Sequence, residues 1–225
     1  MLDLTKIKQV PLKSSEYFNE ETIKKQIVLH HTAGNSSGVS TINNWNTDNR
    51  GRIATCVCIS GKGESKNTFD GEICQAFSSR NWAYHLGLKP EVFKSFGVAY
   101  QSIDKIAIGI EICAWGVLTK KGDKYFNYVN REVAKEDVCV LEKKYKSSYY
   151  YHKYTDAQIE SVRKLLIYWN EIYGIPLNYN EKDMWELSKN AVSGVKGIYT
   201  HNSYRKDKSD VFPQPELIQM LKSLK

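Results

Sequence analysis

Three side chains far apart in this sequence, His30, His201 and Asp210, are of the types that hold zinc in hydrolytic enzymes. Two imidazoles and one carboxylate occupy three corners of a tetrahedron and leave the fourth to water, whereas a structural zinc site closes all four. Each residue has a plainer reading when taken alone, since a single buried histidine is usually a hydrogen-bonded core residue. The set changes that reading. His201 ends a predicted strand, and Asp210 follows nine residues later on a loop that can fold back toward it. Two alternatives stay open: Asp207 offers a carboxylate from the same loop, between Lys206 and Lys208, and His31 stands beside His30. Neighbouring side chains on a strand face opposite ways, so one ion can take only one of His30 and His31, and periodicity does not choose between them.

The elements that must position these groups are legible from hydrophobic patterning. Gln26 to His31 is a short apolar run ending in histidines, a buried strand that delivers its last side chains to a sheet edge. Gly38 to Trp45 has weak helical character, Ile53 to Ile59 predicts a second strand, and Phe69 to Phe77 predicts a turn and a third. Ile106 to Cys113 is almost continuously apolar, as a central strand covered on both faces should be. Thr155 and Gln158 form a capping box that opens a helix whose Ile159, Val162, Leu165, Leu166, Trp169 and Ile172 recur at helical spacing, closed by Gly174 and Pro176. A helix around Lys182 to Lys189, a strand at Val195 to Thr200 and a terminal helix after Pro213 and Pro215 complete the pattern. Strands and helices in this order predict an α/β fold with a single mixed central β-sheet flanked by helices.

Composition bounds the rest. A chain of 225 residues with 41% hydrophobic content buries one sizeable core, so a single domain spanning residues 1–225 is expected. Residues 115–154 depart from the pattern in being rich in Lys and Tyr, and read as an elaborated surface loop on that domain. The net charge of +7 is spread along the chain and favours a polyanionic partner, which leaves nucleic acid, an anionic membrane or a bacterial wall. No nucleic-acid reader motif accompanies the charge, so nucleic acid is not the expected partner. Five cysteines, an odd number without a Cys-x-x-Cys pair, read as core thiols of a reducing compartment. The start of the chain lacks an apolar leader and no run approaches the ~20 apolar residues of a membrane span, so no stable membrane insertion is expected.

Four ordered motifs resemble the zinc-dependent N-acetylmuramoyl-L-alanine amidases of the phage-lysozyme and peptidoglycan-recognition type. Ile27 to Gly34 is similar to their first motif, Trp82-Ala83-Tyr84-His85-Leu86-Gly87 to their Trp-His-x-Gly element, and Ser102 to Ile112 to their Ser-Ile-Gly-Ile-Glu strand. Tyr199-Thr200-His201 and Lys208-Ser209-Asp210-Val211-Phe212-Pro213 resemble their closing motif. The resemblance covers about residues 25 to 220. It implies a Zn2+ ion held by His30, His201 and Asp210, with Glu111 and Lys208 as catalytic groups and His85 as a substrate contact; Trp82 and Trp115, read from their aromatic chemistry alone, are expected as apolar substrate platforms for sugar rings. The chemistry of Glu111 agrees, because an ionised carboxylate in so apolar a strand costs several kcal/mol unless a partner or water meets it. Two departures stand out. The stretch Ala54-Thr55-Cys56-Val57-Cys58 lacks the tyrosine that many relatives place there, and Val211-Phe212 separates Asp210 from Pro213 where relatives place proline directly after the ligand.

The function so implied is hydrolysis of the amide between the lactyl group of N-acetylmuramic acid and L-alanine in bacterial peptidoglycan. The expected partner is peptidoglycan and its muropeptides, and the expected state a monomer. Its expected setting is that of a phage endolysin held in the host cytoplasm until release. A non-catalytic peptidoglycan-binding module is the alternative, because some relatives have lost a zinc ligand.

Overall fold

Why two strands of this chain are apolar throughout becomes plain from where they sit. The computed structural model describes residues 2–34, 36–63 and 69–224. Its strands in chain order are β1 (Lys8–Gln9), β2 (Gln26–His31), β3 (Val57–Ile59), β4 (Ile73–Gln75) and β5 (Ala107–Ile112), then β6 (Thr119–Lys121), β7 (Lys124–Phe126), β8 (Glu132–Val133), β9 (Val138–Tyr145), β10 (Ser148–His152) and β11 (Gly197–Thr200). The helices are α1 (Gly38–Trp45), α2 (Pro90–Ser95), α3 (Ile103–Ile106), α4 (Asp156–Tyr173), α5 (Glu181–Trp185), α6 (Lys189–Val192) and α7 (Pro215–Ser223).

Six strands form one sheet in the order β1-β4-β3-β5-β2-β11. All neighbours run parallel except β3 and β4, so the sheet is mixed, as the sequence predicts. The apolar strands β2 and β5 lie inside it and pair along their length, with His30 opposite Glu111. One face carries Ile27, Leu29, Ile108 and Ile110, which pack against Val162, Leu166 and Trp169 of α4 and Leu217 and Leu221 of α7. The other face carries Val28, Ala107 and Tyr199 against Leu86, Phe93 and Ile103. By the two-residue alternation of strands, His30 and Glu111 continue this second face beyond Val28 and Ala107.

The helix α4 begins and ends where its capping signals place it. The Thr155 side chain accepts from the Gln158 amide while Gln158 reaches back to the cap, and Gly174 closes the helix at φ 59°. Such an N-cap contributes about 1 kcal/mol. Elsewhere the structure is more broken than the periodicity implies. The helix expected over Lys182 to Lys189 is two short helices, because Ser188 caps α6 with its side chain and gives its amide to the Ser203 carbonyl. The strand expected from Ile53 is regular only from Val57, since Ile53 bridges to Tyr84 and Thr55 turns its hydroxyl onto the Val57 carbonyl.

The Lys- and Tyr-rich segment, expected as an elaborated surface loop, carries regular structure: two small antiparallel sheets, β6-β7-β8 and the hairpin β9-β10. Its tyrosines supply the burial that Lys-rich sequence hides: Tyr125 and Tyr151 are buried, and Tyr151 packs within the main core. All five cysteines are free and buried. Cys56 donates to the Phe77 carbonyl, and Cys58 Sγ lies 3.5 Å from Cys113 Sγ. Among the described residues no helix is long and apolar enough to cross a membrane.

Candidate metal centre

Parallel pairing of β2 with β11 brings Leu29 level with Thr200, so the next residues on each strand, His30 and His201, emerge side by side at one end of the sheet. His201 opens a single helical turn, His201–Ser203, which swings the following chain around the site. Buried Asn202 pins the returning loop by donating to the Val211 carbonyl at 2.8 Å, leaving Asp210 facing the two rings. The result is a triangle of donor atoms. His30 Nδ1 is 3.1 Å from His201 Nδ1, His30 Nδ1 is 3.3 Å from Asp210 Oδ2, and His201 Nδ1 is 2.9 Å from Asp210 Oδ2.

The alternatives offered by the sequence take different places in the structure. His31 points to the opposite face, where its Nδ1 meets the Tyr154 hydroxyl at 2.7 Å. Asp207 stays at the surface in a two-pronged pair with Arg205, at 3.1 and 2.6 Å, its side chain 64% exposed. Asp210, by contrast, has a side-chain exposure of 15%. Burial pushes its carboxyl up, but the hydrogen bonds and charge of His201 and His30 outweigh this and hold it far below the usual carboxylate range. Burial pushes the His30 imidazole down to about 4, which keeps it neutral and available as a ligand near pH 7.

These residues line a cleft of about 370 Å³ together with Glu111, Lys208, His85, Trp45 and Thr55. Glu111 stands beside His30 in strand register. Burial, then the charge of Asp210 and of Cys113, pushes its carboxyl well above the ordinary range, while Lys208 pulls the other way. The three expected substrate contacts fare differently. His85 lines the cleft but lies beneath His30, its Nδ1 2.9 Å from His30 Nε2. Trp82 and Trp115 do not line it. Trp82 is 4% exposed, stacks on Phe18 at 3.8 Å and donates its indole N–H to Glu20, its backbone bridging to that of Phe18. Trp115 meets Tyr128 at a ring separation of 6.0 Å, out on the inserted sheets.

Sequence reasoning overlooked Trp45, which the end of α1 turns into the cleft, and Thr55, which lies in the stretch where the expected tyrosine is missing. Neither carries a periodic signal, since one ends a short helix and the other precedes a strand.

The donor set fits an ion on chemical grounds. Ligands about a tetrahedral zinc at ~2.0–2.1 Å lie roughly 3.3 Å apart, close to the three separations found here. The other ring nitrogen of each histidine is also taken up: His201 Nε2–H donates to the Leu86 carbonyl at 3.0 Å, and His30 Nε2 meets His85. Both rings are thus turned so that Nδ1 faces the shared point.

The family described as N-acetylmuramoyl-L-alanine amidase matches residues 20–215. Among solved structures the chain is similar to PlyL, at 13% identity and a TM-score of 0.52, with 96% of this chain and 97% of that one covered. It is similar to a mutant endolysin from Bacillus subtilis, at 13% identity and a TM-score of 0.53, covering 99% and 97% of the two chains. It is also similar to the hydrolase AmiA of Staphylococcus aureus, solved with its ligand, at 12% identity and a TM-score of 0.52, covering 98% and 83%. At such identities the likeness speaks for the fold. A comparison with curated proteins finds no match.

Proposed function

The chain belongs to the N-acetylmuramoyl-L-alanine amidase family and is an amidase of bacterial peptidoglycan; from that premise we propose that it works with a zinc ion held by His30 Nδ1, His201 Nδ1 and Asp210 Oδ2. The observation that carries this reading is the convergence of those three atoms, from three distant segments, at one end of the sheet beside Glu111. The bond attacked joins the lactyl group of N-acetylmuramic acid to L-alanine, and amide resonance makes its carbonyl a poor electrophile. Zinc bound there supplies Lewis acidity, which polarises that carbonyl and makes water acidic enough to attack near neutral pH.

The residues of the chain do the rest. Glu111 lines the same cleft beside His30 in strand register, and takes the proton of the attacking water and returns it to the departing alanine nitrogen. Lys208, two residues before Asp210, lines the cleft with a cation that stabilises the tetrahedral oxyanion. The absence of a tyrosine in the Ala54–Cys58 stretch puts more of the proton transfer on Glu111. Residues 1–225 act as one catalytic domain, a reading supported by a core cluster that draws side chains from Leu12 through to Leu224. The setting we propose is wall lysis by a phage-type endolysin, with the net charge of +7 favouring an anionic wall.

Digestion of purified sacculi followed by mass spectrometry tests the reading. Glycan strands freed of intact stem peptides that begin with L-alanine are expected, and only from protein carrying zinc. Cleavage at any other bond, or undiminished cleavage after chelation, refutes it.

A further inference from the structure

One short segment touches both histidines of the centre. His85 and Leu86 are consecutive, and each meets the ring nitrogen that the ion would leave free: His85 Nδ1 lies 2.9 Å from His30 Nε2, and the Leu86 carbonyl accepts from His201 Nε2 at 3.0 Å. The backbone of this segment is itself fastened at one point. Asp104 Oδ1 accepts the amide of His85 at 2.8 Å and that of Leu86 at 3.0 Å. Asp104 belongs to the turn α3 that leads into β5, and is buried.

We propose that His85 and Asp104 are positioning residues: Asp104 clamps the segment, and the segment orients both histidines toward the ion. This rests on the metal-centre reading above. The tautomers follow by elimination. For His30 Nδ1 to offer a lone pair its proton must sit on Nε2, and His85 Nδ1 is the acceptor within reach. His85 Nδ1 is then bare and its proton lies on Nε2, an atom that is buried, has no hydrogen-bond partner and stands 4.0 Å from Asp104 Oδ1. The room for this ring is made by Gly109 on β5, where a Cβ would come within 3.3 Å of His85 Nδ1 and 2.7 Å of the Thr55 side chain. His85 therefore acts through His30, with a side chain only 5% exposed, rather than on substrate.

The acceptor's position gives a sharp test. An asparagine side chain places an oxygen near the position of Nδ1, and a glutamine places one near Nε2. H85N is expected to keep zinc affinity within about threefold of the unaltered protein, while H85Q and H85L lose on the order of 10–100-fold, read by competition with a chromophoric chelator. D104N, which keeps an oxygen for the two amides, should bind zinc better than D104A. The cobalt(II) absorption spectrum should shift in H85L and not in H85N. Long-range 15N–1H spectra of the unaltered zinc-loaded protein should show His85 as the Nε2–H tautomer, a readout that needs no variant to fold. Equal affinities for H85N, H85Q and H85L, or an Nδ1–H tautomer at His85, would overturn the proposal while leaving the centre intact. Failure of the unaltered protein to bind zinc would overturn both.

Discussion

Phe212 stacks on Tyr151 with ring centroids 4.4 Å apart and an interplanar angle of 17°. The contact joins β10 of the inserted sheets to the loop that carries Asp210, and Tyr154 adds a second stacked ring at 4.7 Å. Gln214 closes the clasp by exchanging two hydrogen bonds with the Tyr154 backbone, at 2.8 and 2.9 Å. The insertion thus braces the loop that carries Asp210, and the Val211-Phe212 departure from the family pattern supplies the anchor for that brace.

Removing this anchor should loosen Asp210. Phe212 is fully buried, so Phe212→Ala is expected to cost about 3–5 kcal/mol, read from urea unfolding. Zinc affinity should fall as well, although no ligand is altered. A variant that loses stability yet binds zinc unchanged would show that the clasp does not hold the loop in place.

Glu111 and His201 should separate by function. Glu111→Gln is expected to abolish release of peptides from muropeptides while retaining zinc, since its carboxylate lines the cleft outside the donor triangle. His201→Ala should lose both zinc and activity. Metal content by plasma emission alongside the hydrolysis assay distinguishes them, and retained hydrolysis by either variant contradicts its assigned role.

The two aspartates of the closing loop should differ just as clearly. Asp207→Ala removes only an exposed partner of Arg205 and is expected to change stability by less than about 1 kcal/mol, with zinc retained. Asp210→Ala should leave the protein unable to hold zinc in equilibrium dialysis. Loss of zinc in the Asp207 variant would restore it as the ligand.

The metal-free protein should weaken toward acid as its buried histidines are forced to take up protons. Burial lowers His30 and His31 from 6.5 to about 4, and lowers His85 and His152 as well. The unfolded chain then binds more protons than the folded one, so stability is fully present above about pH 6.5 and is lost as pH falls toward 4. For His31 the separation corresponds to about 3 kcal/mol at most. Urea midpoints measured in chelator should fall steadily between pH 7 and 4.5, with a shallower slope in His31→Asn. A flat profile across that range would contradict the burial of these rings.

Much of this was written in local pattern. The uniform apolarity of β2 and β5, the Thr155 and Gln158 box with Gly174, and the α/β alternation follow from periods and caps that act over a few residues, so they are readable without a structure. His30, His201 and Asp210 were readable as ligand types, and the ordered motifs tied them together. Periodicity could not say whether His30 or His31, nor whether Asp207 or Asp210, joins the donor triangle, because both choices depend on partners distant in sequence. Tyr154 takes His31, Arg205 takes Asp207, and Asn202 turns Asp210 inward. The same limit explains why Trp82 packs on Phe18 and why His85 lies behind a ligand rather than before a substrate. The sequence by itself determined which side chains and strands this amidase has to work with; only the tertiary structure decided which ring nitrogens and which carboxylate converge, since those orientations are set by hydrogen bonds between segments that no local pattern connects.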